Sequence, residues 1–105
     1  MKKRGYLITF EGAEGSGKST QVRNAVRFLR RKGYAVVFFR EPGGTQTGEA
    51  IRKVLLNRHL HGMLPETELL LYLAARAQLV REKIEPALKK KKIVVLDRYE
   101  DSTLA

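Results

Sequence analysis

Cysteine is missing from all 105 residues. No disulfide framework and no thiolate metal site can form, and such a composition suits a reducing compartment. Long apolar runs are missing as well, since nothing approaches the roughly 20 residues that a membrane-spanning helix needs. The basic start Met1-Lys2-Lys3-Arg4 leads only into the short run Tyr6 to Phe10. A signal peptide has a longer apolar region and a small-residue cleavage site, and neither is present. These absences predict a cytoplasmic protein. Acidic residues are also scarce. Eleven Asp and Glu stand against 21 Lys and Arg, for a formal net charge of +10.

A basic balance points to nucleic acid, a membrane surface or small anionic substrates. Much of the excess lies in Lys2 to Arg4, Arg27 to Lys32 and Lys89 to Lys92. Arg23, Arg27, Arg30 and Arg31 recur at helical spacing opposite Val22, Ala25, Val26 and Leu29. That pattern describes the solvated face of an amphipathic helix. It lacks the aromatic interleaving of single-strand binders, so neither nucleic acid nor a membrane is an expected partner. Hydrophobic residues make up 43% of the chain, enough for the core of one small domain.

Along the chain, Tyr6 to Phe10 reads as a short buried strand. A helix is predicted from Lys18 to Lys32, with Gly33 as its stop. Ala35 to Phe39 is a second apolar run, followed by the loop Glu41-Pro42-Gly43-Gly44-Thr45. Helices are expected over Gly48 to Leu56 and Glu66 to Val80, with a further turn or helix to Leu88. His59 to Pro65 is a polar connection, and His59 and His61 are expected at the surface. Ile93 to Leu96 is a third buried strand, ending at Asp97. Strands that are apolar throughout and alternate with helices predict an α/β fold, a parallel sheet covered on both faces. In α/β folds of this kind the first strand is normally central. Three strands therefore predict an incomplete sheet, truncated after the third strand.

Gly12-Ala13-Glu14-Gly15-Ser16-Gly17-Lys18-Ser19 fits G-x-x-x-x-G-K-[ST] at every fixed position, between a strand and a helix. Glycines let the backbone curl so that successive N–H groups face phosphate oxygens. The helix start adds its positive dipole end. Lys18 can reach the β- and γ-phosphates, and the Ser19 hydroxyl can ligate Mg²⁺. Residues Gly12 to Thr20 are therefore the expected ATP site. Ile93-Val94-Val95-Leu96-Asp97 delivers a carboxylate to the strand end where ligands bind in open α/β sheets. Asp97 and Ser19 are the expected metal residues, and ATP and Mg²⁺ the expected cofactors.

Three further segments narrow the chemistry. Arg40-Glu41-Pro42-Gly43-Gly44-Thr45 follows the second strand and reaches the same sheet edge. Tyr72 and Arg76 lie four apart on one helix face, and Arg98 follows Asp97. An aromatic ring and several arginines opposite a P-loop suit a planar base and a monophosphate. Arg76 on a solvated face and Tyr72 in the core are the competing structural readings.

In order and spacing these segments resemble the thymidylate kinase family over nearly the whole chain. The matching residues are Phe10-Glu11 before the P-loop, Arg40 to Thr45, Gly48-Glu49 and Ile51-Arg52. They continue with Glu68 to Tyr72, Ala74 to Gln78, Asp97-Arg98-Tyr99 and Asp101-Ser102. The resemblance implies ATP-dependent phosphorylation of dTMP to dTDP, within dTTP biosynthesis. It implies that Arg98 binds the dTMP phosphate with Arg40, Glu41 and Arg52 nearby. Arg76 would read the thymine edge and Tyr72, usually phenylalanine in the family, would stack on the ring. Thr103 would lie near the base, and Glu14 would face substrate and metal. Lys18, Asp97 and Arg98 are the implied catalytic residues.

No loop position from Ala13 to Ser16 is basic, which resembles members that supply an arginine from a lid. Residues 1–105 then read as the N-terminal part of one P-loop kinase domain, without lid or C-terminal strands. The isolated piece is expected to be inactive, and the full-length enzyme to be a homodimer. Another P-loop nucleoside or nucleotide kinase, a nucleic-acid-stimulated ATPase and a non-catalytic nucleotide-binding module are the rival readings.

Overall fold

The structure, a computed structural model, describes residues 5–12 and 17–99. Strand β1 (Tyr6–Gly12) leads into helix α1 (Lys18–Arg31), then β2 (Val36–Glu41), α2 (Gln46–Leu55) and α3 (Pro65–Leu79). A widened π-type turn at Val80–Ile84 joins α3 to the short α4 (Glu85–Lys89), and β3 (Ile93–Tyr99) follows. The strands form a parallel sheet in the order β1-β3-β2.

Strand β3 explains the packing. Alternate side chains of a strand face opposite sides. Val94 and Leu96 pack with Leu79, Ile84 and Ala87 of the α3–α4 layer. Ile93 and Val95 pack with Val22 and Val36, against Val26 and Leu29 of α1. Both faces of β3 are thus covered, and Ile93 to Leu96 are all buried. The expectation that every strand is buried on both faces holds only there. β1 and β2 border the described sheet, and Leu7 is 46% and Phe38 44% exposed. β1, expected to be central, has no strand beyond it among the described residues.

The elements also run further than their apolar residues suggest. β1 reaches Gly12, β2 reaches Glu41 and β3 reaches Tyr99. The added positions are mostly polar and pair across the sheet, with Glu11 and Glu41 both in register with Arg98. Asp97 therefore lies inside β3 rather than at its end. α2 starts at Gln46, two residues before the expected Gly48, because Thr45 caps it: the Thr45 hydroxyl accepts from Gly48 N at 2.8 Å. α3 opens with Pro65 in its first turn, where a missing N–H costs nothing. The widened turn stands directly before Pro86, whose ring and missing N–H disfavour a regular α-turn there. Gly33, at φ 96°, ends α1 as expected. Among the described residues no helix is long and apolar enough to cross a membrane.

Candidate functional site

Consecutive residues at the end of β3 serve opposite faces of the sheet. Asp97 continues the row of Ile93 and Val95 toward α1. Arg98 continues the row of Val94 and Leu96 toward α3.

On the α1 side, Gly17 adopts a left-handed conformation (φ 86°) and starts the helix. A side chain there would be strained. The first turn of α1 has neither a side-chain cap nor an acidic residue, so its N–H groups form a natural anion site. Lys18 is buried, and its Nζ donates to Gly12 O at 2.8 Å and to Arg98 O at 2.7 Å. It also lies 2.8 Å from Asp97 Oδ1. That oxygen is buried and has no aligned hydrogen-bond donor, so the contact is one of charge rather than of directed hydrogen bonding. Ser19 lies near Asp97 in a cleft of about 280 Å³, lined also by Lys18, Phe38, Arg40, Glu41 and Arg52. Thr20 is exposed on the first turn of α1. Ala13, Glu14, Gly15 and Ser16, and likewise Thr103, lie outside the described residues.

On the α3 side, Glu41 is the hub. Its side chain is only 1% exposed. Oε2 accepts from Arg76 Nε at 2.9 Å, and Oε1 accepts from Arg98 Nε at 2.8 Å. Arg98 Nη1 also donates to Glu11 Oε2 at 3.0 Å. Arg76 lies over the Tyr72 ring, 5.0 Å from its centroid, and its Nη2 donates to the Tyr72 hydroxyl at 3.3 Å. The hydrogen bond to Glu41 holds the Arg76 guanidinium more firmly protonated than usual. Burial, followed by the nearby Glu41 charge, pushes the Tyr72 phenol above its ordinary range. Arg76 and Tyr72, both half-buried, thus belong to this cluster around Glu41.

The turn after β2 is locked from three directions. Gly44 N donates to Glu49 Oε2 at 2.9 Å, Arg52 Nη1 donates to Pro42 O at 3.0 Å, and Arg40 Nη2 donates to Glu49 Oε1 at 3.2 Å. The Gly44 N–H holds the Glu49 carboxyl below its ordinary value, partly offset by desolvation, with Arg40 adding to the lowering. Sequence reasoning missed the roles of Glu49 and Glu11. For Glu49, the Thr45 cap four residues earlier was a usable signal. For Glu11 there was none, since its contact with Arg98 depends on strand order.

His59 and His61 are exposed. No cluster of three or more His, Cys, Asp or Glu suited to a metal exists among the described residues. A second groove, of about 340 Å³, runs between α1 and Phe38. It is lined by Arg23, Arg27 and Arg30 with Val22 and Val26. It offers no acid, hydroxyl or glycine turn.

The geometry agrees with comparisons to known proteins. The family model described as thymidylate kinase matches residues 10–105. A thymidylate kinase of Kosmotoga olearia is 58% identical over 99 residues, covering 94% of this chain and 47% of that protein. A thymidylate kinase of Geobacter sulfurreducens is 54% identical over 100 residues, covering 95% and 47%. The crystal structure of thymidylate kinase from Ehrlichia chaffeensis superposes with a TM-score of 0.81 at 39% identity, covering 90% of this chain and 53% of that one. The chain spans about half the length of the curated relatives it matches. On the match over residues 10–105 and the shared fold, this chain belongs to the thymidylate kinase family.

Proposed function

We propose that the chain supplies the P-loop and most of the acceptor pocket of an enzyme that transfers the γ-phosphoryl of ATP to dTMP, giving dTDP. The observation that carries this reading is the split at the end of β3. Asp97 joins Lys18 of the P-loop, while Arg98 joins Arg76 and Tyr72 through Glu41. Two nucleotide half-sites thereby meet at one strand end, the usual place for ligands in open α/β sheets.

Phosphoryl transfer depends on positioning and charge neutralisation more than on covalent chemistry. The attacking oxygen belongs to a phosphate already anionic near neutral pH, so no general base is named. Gly12 to Thr20 cradle the triphosphate, and Lys18 neutralises its outer phosphates. Arg98, with Arg40 and Arg52 nearby in the cleft region, holds the acceptor phosphate. Arg76 reads the thymine edge and Tyr72 stacks on the ring. The family resemblance would give Glu14 a role toward substrate and metal and Thr103 a role toward the base; both lie outside the described residues. Ser19 and Asp97 suit Mg²⁺, which binds through one or two protein oxygens plus phosphates rather than in a full protein cage. The buried, hydrogen-bond-free Asp97 Oδ1 fits that need. Bound there, Mg²⁺ would offset phosphate charge.

The expected cell compartment is the cytoplasm, where free nucleotides and a reducing environment suit a chain without cysteine. A panel of nucleoside monophosphates assayed with ATP on the intact protein tests the reading. Turnover is expected with dTMP in preference to dCMP, dAMP and dGMP. Turnover with another monophosphate and not dTMP would favour a different nucleotide kinase. ATP hydrolysis stimulated by DNA or RNA would favour the ATPase reading.

A further inference from the structure

Both oxygens of Glu41 are taken by arginines. Arg98 Nε and Arg76 Nη2 share Oε1, at 2.8 and 3.4 Å, and Arg76 Nε holds Oε2 at 2.9 Å. The side chain is 1% exposed. An ionised carboxylate is an acceptor only, so it cannot donate to a phosphate, and it would repel one at close range. Although it borders the cleft, its chemistry argues against direct contact with an anionic phosphate.

The backbone fixes this carboxylate in place. Glu41 stands in register with Arg98 across the sheet. The turn behind it is tied by Gly44 N to Glu49 and by Arg52 to Pro42 O. Gripped at Nε, each arginine is held in one orientation before any ligand arrives. Removing the negative charge would leave two part-buried guanidiniums without their shared partner, and removing either arginine would leave the buried carboxylate undercompensated.

We infer that Glu41 is a positioning residue that couples the two ends of the acceptor pocket, so that base recognition at Arg76 and phosphate recognition at Arg98 are not independent. This rests on the dTMP reading above. Arg98 is held from its other side by the more exposed Glu11, so Glu41 is the one carboxylate shared by both arginines among the described residues.

Binding of dTMP and of ATP to the intact wild-type protein and to Glu41→Gln tests this by calorimetry. The Kd for dTMP is expected to rise by about tenfold or more while that for ATP stays within about twofold. Unchanged dTMP binding, or equal losses for both nucleotides, would overturn the inference. A measurement on wild type covers the case in which Glu41→Gln does not fold. Thymidine, which has no phosphate, is titrated while the Nε–H signals of Arg76 and Arg98 are followed by NMR. Both signals are expected to move together. Movement of Arg76 alone would contradict the coupling. A wild-type protein that binds neither thymidine nor dTMP overturns the dTMP reading and the coupling together.

Discussion

At the scale of residues, charge pairing does most of the arranging. Arg76 is held by Glu41 and lies against Tyr72, and in the proposed function it reads the acceptor base. Arg76→Ala in the intact protein is expected to weaken dTMP binding by about 10- to 100-fold. ATP binding should be little changed, and titration of each nucleotide checks this. Equal losses for both would remove Arg76 from the acceptor role. Gly44 is under a steric constraint. Its φ is 86°, and an added Cβ would lie 2.7 Å from Cδ1 of the buried Leu79. Gly44→Ala is therefore expected to destabilise the fold by about 1–3 kcal/mol, read from the denaturant midpoint. Glu49 gives a pH dependence. Its folded pKa lies below the ordinary carboxylate value of 4.5, first because of the Gly44 N–H. Its stabilising contribution is thus present above 4.5 and fades as the pH falls through the lower folded value. Glu49→Gln should unfold more easily than wild type near neutral pH, and the difference should close in acid. A difference that grows in acid would contradict this origin.

Elements show what was legible in the sequence and what was not. The apolar runs at Tyr6, Ala35 and Ile93 marked three strands, because a parallel sheet buries its strands between helices. The P-loop placed α1, and Gly33 its end. The polar extensions of the strands were hidden. The row Glu11–Arg98–Glu41 exists only because β3 lies between β1 and β2, and strand order is not written in local periodicity. The same holds for Glu41. A glutamate before Pro-Gly-Gly reads as a loop residue until the sheet brings Arg98 beside it. The start of α2 was legible in principle, since Thr45 after Gly-Gly is a preferred N-cap residue and Glu49 is an acid in the first turn. Thr45→Ala should cost about 1 kcal/mol through loss of that cap. It should also loosen the Pro42–Gly44 turn, which hydrogen exchange at the Gly44 amide would report. The widened turn before Pro86 was not legible, because its apolar residues continue a helical pattern.

For the whole molecule, the basic charge has a partial explanation. Lys18, Arg40, Arg76 and Arg98 are each paired with a carboxylate around the cleft, so the uncompensated excess lies elsewhere. The α1 arginines lie away from that cleft, with Arg23, Arg27 and Arg30 lining the groove beside Phe38 and Arg30 donating to Val36 O. Apolar side chains remain exposed on α2 and α3, among them Val54, Leu69, Leu70 and Leu73, with Leu70 at 66%. Patches of this kind mark surfaces that pack against further polypeptide or a second copy, and the second case is the homodimer that the family resemblance implies. The intact protein is expected to sediment as a dimer and Leu70→Asp to shift it toward monomer. A monomeric wild type would remove the dimer from the account.

The central claim is that Asp97 and Arg98, neighbours on β3, each serve a different one of two nucleotides that meet at the same strand end. Binding of Mg-ATP and of dTMP to Asp97→Asn and to Arg98→Ala in the intact protein tests it most directly. Asp97→Asn is predicted to weaken Mg-ATP and spare dTMP, and Arg98→Ala to weaken dTMP and spare Mg-ATP. Loss of the same nucleotide in both variants would contradict the account.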